Sequence, residues 1–133
     1  LDPLELYLTL GVSFIASGFS SKPKDLAKLI SQGMNHNGFS VIHVQSPCTT
    51  YNDNYDELKG NKEKGIPATL WEIPEDHDSS DLPKAYELIR SGGIPLGIIY
   101  RDVTRPSLTQ HSEKVHADLK TRTVEQLLSS YDL

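Results

Sequence analysis

Two short runs of β-branched and aromatic residues, Val12-Ser13-Phe14-Ile15-Ala16 and Phe39-Ser40-Val41-Ile42-His43-Val44, flank a stretch whose apolar residues recur at helical spacing. In that stretch Leu26, Leu29, Ile30 and Met34 fall on one helical face, opened by Ser20-Ser21-Lys22-Pro23 and stopped by Asn35-His36-Asn37-Gly38. Strand, helix and strand with joints this short form a βαβ unit, whose strands run parallel around a right-handed crossover. The expected class is therefore α/β, a parallel sheet with flanking helices.

The rest of the chain is read around that unit. Asp2 as N-cap, Pro3 at the first helical position and Glu5 as the reciprocal acid predict a helix over Leu4 to Leu10, ended by Gly11. A chain that opens on an element boundary is expected to be a piece of something larger. Tyr51 to Gly65 is polar, with one short helix near Tyr55 to Lys59. Leu70 to Ile73 alternates briefly and reads as a small edge strand ended by Pro74. Ser79, Ser80 and Asp81 offer caps for a helix through Ala85, Leu88 and Ile89, closed by Gly92-Gly93. Pro95 to Tyr100 is a further strand. Thr104 to Lys120 shows little periodicity, and Val124, Leu127 and Leu128 suggest a last short helix capped by Thr121 or Thr123.

Charge narrows the partners. With 18 acidic against 13 basic residues the net charge is -5 and the basic residues are scattered, so a phosphate-backbone footprint is missing and nucleic acid is not expected. The apolar stretches are too short to cross a bilayer and no signal segment opens the chain, which makes a cytoplasmic protein without a membrane partner the expectation. One cysteine cannot form an internal disulfide.

That cysteine, Cys48, follows the second strand in Val44-Gln45-Ser46-Pro47-Cys48. Pro47 stops the strand, so the thiol lies at the carboxyl edge of the sheet, where ligands collect in α/β folds. Two readings stay open on these grounds: a buried structural thiol, or a soft ligand for a metal or redox centre. No Walker or dinucleotide glycine motif is present. A dithiol exchange site needs a second cysteine. A cysteine hydrolase needs a histidine beside the thiol, and strand alternation sends His43 to a sheet face instead. Glu75, Asp76, His77 and Asp78 read as a solvated turn beside Pro74 before they read as metal ligands, and Trp71 as packing.

The blocks Leu4-Glu5-Leu6, Gly11 to Ala16, Lys24-Asp25-Leu26, Asn35 to Ile42 and Ser46-Pro47-Cys48-Thr49-Thr50-Tyr51-Asn52 occur in an order that is nearly gap-free from Asp2 to Asn52. Further blocks follow at Asp76-His77-Asp78, at Gly97-Ile98-Ile99-Tyr100 and at Arg105-Pro106-Ser107. In these the chain resembles the β subunit of 2-oxoacid:ferredoxin oxidoreductases. The resemblance implies one α/β domain over residues 1–133, part of a thiamine diphosphate-binding-type fold and the C-terminal portion of a larger subunit, with residues 53–71 as a variable loop region.

It also implies chemistry. Cys48 matches the cysteine that ligates a [4Fe-4S] cluster in cluster-bearing members, the other ligands lying outside this chain. The intact enzyme would use thiamine diphosphate, Mg2+ and the cluster to convert a 2-oxoacid and coenzyme A to an acyl-CoA, passing electrons to ferredoxin. An α subunit is the implied partner. The piece alone is expected to hold no cofactor and to be inactive. The alternative is a non-catalytic docking or assembly module with Cys48 as a buried structural thiol.

Overall fold

The computed structural model describes residues 2–131. Asp2 caps the first helix, α1 (Pro3–Thr9), accepting from the backbone N–H of Leu4 and Glu5. Glu5 does not close a capping box; its carboxylate pairs instead with Arg90. The βαβ unit forms as expected from β1 (Phe14–Phe19), α2 (Pro23–Met34) and β2 (Ser40–Gln45), with β1 and β2 parallel. Gly33 lets the helix lie close to the sheet, since a Cβ there would stand 2.8 Å from Ile42 and 3.4 Å from Phe14.

After Cys48 the chain makes a short helix, α3 (Tyr55–Lys59), and a three-residue strand, β3 (Leu70–Glu72). A second βαβ unit is completed by α4 (Leu82–Arg90) and β4 (Ile94–Arg101), with β3 and β4 parallel. The strand order is β2-β1-β4-β3. Here the structure corrects the expectation of a parallel sheet: β4 runs antiparallel to β1, so two parallel pairs meet along an antiparallel seam. Each βαβ unit fixes the directions within itself, and nothing in local periodicity fixes how the two units abut. The α/β class with flanking helices holds.

The layers follow from strand alternation. Phe14 and Ile42 face α2, whereas Ile15 and Val41 face the other side, where Leu4 and Leu8 of α1 meet Ala85 and Ile89 of α4. β1 is buried along its whole length, and complete burial of Phe14 and Ile15 contributes roughly 1.5–3 kcal/mol apiece. A smaller core of Phe19, Leu58 and Leu96 anchors α3 at the end of the sheet that carries Cys48. The expected strand through His43 is only half buried, because β2 is an edge strand and not an internal one.

The stretch after Thr104 is not irregular. It holds a 14-residue helix, α5 (Leu108–Thr121), and α6 (Val124–Ser129), opened by reciprocal capping boxes of Ser107 with Gln110 and Thr123 with Gln126. Among the described residues no helix is long and apolar enough to cross a membrane.

Candidate functional site

The site is built where β2 ends. Past Gln45, Ser46 and Pro47 leave the sheet, and the chain folds back on itself at once. The Cys48 N–H donates to the Asn52 carbonyl at 3.2 Å and the Asn52 N–H to the Cys48 carbonyl at 2.9 Å, an isolated antiparallel bridge closing a tight loop. Cys48 is exposed in the loop that this bridge closes, past the end of the sheet, which corrects the reading of a buried structural thiol.

The loop also sets the chemistry of the sulfur. The backbone N–H groups of Tyr51 and Thr50 chiefly draw the thiol below its ordinary pKa, opposed by desolvation, with a lesser lowering from Asn52 and a lesser opposition from the Asp53 carboxylate. N–H donors aimed at sulfur stabilise the thiolate, the form that attacks electrophiles and binds soft metal ions. One exposed thiolate suits one corner of a metal centre. It cannot complete one, since an iron–sulfur cluster is held by four ligands and, among the described residues, no group of three or more His, Cys, Asp or Glu is placed to hold a metal.

Around this loop lie residues that sequence periodicity did not single out. Thr49, Asp53, Tyr55, Asp56 and Lys64 enclose a cavity of about 320 Å³. Tyr55 also borders a second cleft of about 390 Å³, with Phe19, Lys22, Lys59 and Trp71 in its wall. The Tyr55 hydroxyl accepts from Lys59 at 3.2 Å, and that hydrogen bond lowers the Tyr55 pKa. Asp56 accepts from Lys64 at 2.6 Å, which lowers the carboxyl and raises the amine. The only signal for these residues is the small core of Leu58, which folds the polar segment back to the sheet end.

The remaining sequence candidates do not join the site. His43 turns to the α1 face, its ring 6.3 Å from that of Tyr7, so no thiol–imidazole pair forms. Asp78 accepts the N–H and hydroxyl of Ser80 while His77 Nε2 lies 2.9 Å from the Ile99 carbonyl, a turn tied to β4. Trp71 donates its indole N–H to the Gly92 carbonyl at 2.9 Å, closing the joint between α4 and β4. A Ser–His pair does exist elsewhere. His36 Nε2 is 3.0 Å from Ser13 Oγ, and that hydroxyl donates to the Phe39 carbonyl at 3.1 Å, but both residues are buried and lock the α2–β2 joint onto β1.

Comparison with known proteins gives the family of the chain. The family model for the C-terminal part of the pyruvate ferredoxin oxidoreductase beta subunit matches residues 48–117, beginning at the exposed cysteine itself. The chain belongs to this family. A 2-oxoacid:ferredoxin oxidoreductase subunit beta from Aeropyrum pernix is 30% identical over 123 residues, covering 86% of this chain and 40% of that protein. A second A. pernix subunit beta is 27% identical over 129 residues. A solved 2-oxoglutarate:ferredoxin oxidoreductase from Magnetococcus marinus, determined with 2-oxoglutarate, coenzyme A and succinyl-CoA bound, matches the whole chain with a TM-score of 0.77 at 33% identity and is covered over 45% of its own chain. The family match and the curated relatives agree on the β subunit of a 2-oxoacid:ferredoxin oxidoreductase, and the solved structure is a 2-oxoglutarate:ferredoxin oxidoreductase. The chain spans about 40% of the length of the A. pernix relatives.

Proposed function

We propose that this chain serves the oxidative decarboxylation of a 2-oxoacid to an acyl-CoA, with electrons passed to ferredoxin, and that Cys48 is one ligand of a [4Fe-4S] cluster in the assembled subunit. The observation that carries the reading is the exposed Cys48 thiol just past the carboxyl end of β2, in the loop closed by the bridge to Asn52. When bound, the cluster supplies one-electron transfer and thiamine diphosphate with Mg2+ supplies carbanion stabilisation. This chain contributes an exposed cysteine just past β2 whose thiol the loop amides draw below its ordinary pKa. The other three cluster ligands and the thiamine site belong to polypeptide beyond these residues. In isolation the chain is inactive, and its setting is the cytoplasm.

The activity test uses the complex assembled anaerobically from this chain, the uncovered part of the β subunit and the α subunit. Ferredoxin reduction dependent on 2-oxoacid and coenzyme A is expected. Cys48→Ser is expected to lower it by at least about 100-fold, the scale on which loss of a required metal environment acts. Retention of the full rate in Cys48→Ser rules out the ligand role, and absence of any 2-oxoacid-dependent reduction in the wild-type complex rules out the reaction.

A further inference from the structure

Two connections part at the Cys48 end of the sheet. From β1 the chain turns at Ser20-Ser21-Lys22 into α2, which leads to β2, whereas from β2 it passes through the Cys48 loop to α3, held by Leu58 against Phe19 and Leu96. In α/β folds small ligands lodge in the crevice where connections leave the carboxyl ends of strands in different directions. The cleft of about 390 Å³ opens there, between Ser21 and Lys22 on one side and Tyr55 and Lys59 on the other. That size lies at the low end of small-molecule sites, which run from about 300 to 1,000 Å³.

The lining has two characters. Phe19 and Leu96 are buried, and with half-buried Leu70 they give a fixed apolar bed. Beside it lie two lysines and one carboxylate. Lys22 pairs with Glu72, while Lys59 makes no ion pair among the described residues and donates to the Tyr55 hydroxyl at 3.2 Å. Tyr55 Oη accepts that bond on a lone pair, so its own proton remains to donate. One ammonium is thus left over, next to a hydroxyl donor and an apolar bed. Beyond the Lys22–Glu72 pair a cavity of about 210 Å³ shares Phe19, Lys22, Glu72 and Leu96 with the cleft and continues along Leu26 and Leu29 of α2. Both partners of that pair are exposed, so it separates the two spaces only weakly.

We propose that the cleft binds a small carboxylate with an aliphatic chain, Lys59 and the Tyr55 hydroxyl holding its head and Phe19, Leu70 and Leu96 its chain. The chemistry selects this class. A single unneutralised ammonium with one hydroxyl donor matches one carboxylate better than a phosphate dianion, which draws on several cations or a run of backbone N–H groups. The apolar bed gains by covering carbon and leaves the hydroxyls of a sugar unpaired. A cation would meet two ammonium groups. Tyr55 also borders the cavity that Thr49 lines, so an occupied cleft reaches the Cys48 loop through one side chain. The site requires no cluster, and it stands whether or not Cys48 ligates iron.

Octanoate is the probe, titrated into the isotopically labelled 133-residue chain and followed by amide chemical shifts. Saturable shifts are expected at Ser21, Lys22, Tyr55 and Lys59, with a dissociation constant below ~1 mM. Lys59→Met keeps an aliphatic stem and removes the charge, and it is expected to weaken binding at least about tenfold, as is replacement of octanoate by octanamide. Lys24→Met, on α2 but outside the cleft, is expected to bind as the unaltered chain does. Absence of saturable shifts, shifts centred elsewhere on the chain, or full affinity in Lys59→Met overturns the proposal. Equal binding of octanamide, or an equal loss in Lys24→Met, overturns it as well, by reducing the attraction to the apolar bed or to general positive charge.

Discussion

A thiol gains reactivity from the groups around it, and at Cys48 those groups are main-chain amides rather than a charged side chain. Its position after the strand was legible in the sequence because Pro47 has only one effect on a strand. Its exposure was not, because burial frequencies for cysteine favour the interior and the bridge from Cys48 to Asn52 is a backbone arrangement without a residue signature. His36 shows the opposite case, a histidine that periodicity treated as part of a helix stop and that the fold buries. Burial, and then the Arg101 charge, lower its pKa below 6.5, with Asp102 opposing. The unfolded chain therefore takes up the proton first. This contribution to stability is complete above pH 6.5 and is lost as pH falls through the lower folded-state value. Urea unfolding is expected to show stability falling from about pH 7 to 5 by at most ~1.4 kcal/mol per pH unit from this group, and His36→Gln is expected to flatten that slope. An equal slope in the variant would place the effect elsewhere.

At the scale of elements, the β1–α2–β2 unit could be read almost to its boundaries, since amphipathic spacing, a proline start and short joints all agree. The antiparallel seam between β1 and β4 could not, because it depends on how two independently satisfied units meet. α5 was missed for a different reason. It keeps Leu108, Val115 and Leu119 at least partly exposed, so it lacks the dense apolar stripe by which a packed helix announces itself. Its capping box, Ser107 with Gln110, was the available signal. The joint between α4 and β4 is the element on which the second βαβ unit turns. Gly93 has φ +69°, and a Cβ there would stand 2.6 Å from the Thr69 carbonyl that accepts the Ile94 N–H. Gly93→Ala is expected to destabilise the fold by more than the ~1–2 kcal/mol of a left-handed backbone alone, because the added carbon also pushes β3 from β4. Denaturant midpoints measure this, and a loss below ~0.5 kcal/mol would mean that the joint relaxes freely.

The whole molecule is a mixed four-stranded sheet with helices on both faces, an open edge at β2 and a thiol at the end of that same strand. Family membership and the match along the whole chain give the fold its setting, and the chain spans about 40% of the length of the A. pernix relatives. Iron stoichiometry is the most direct measure of the central claim. The β subunit assembled anaerobically from this chain and its uncovered part is expected to hold about four iron atoms per subunit, with depletion in Cys48→Ser and none bound by this chain alone. A Cys48→Ser subunit with an undiminished four-iron content would contradict the account.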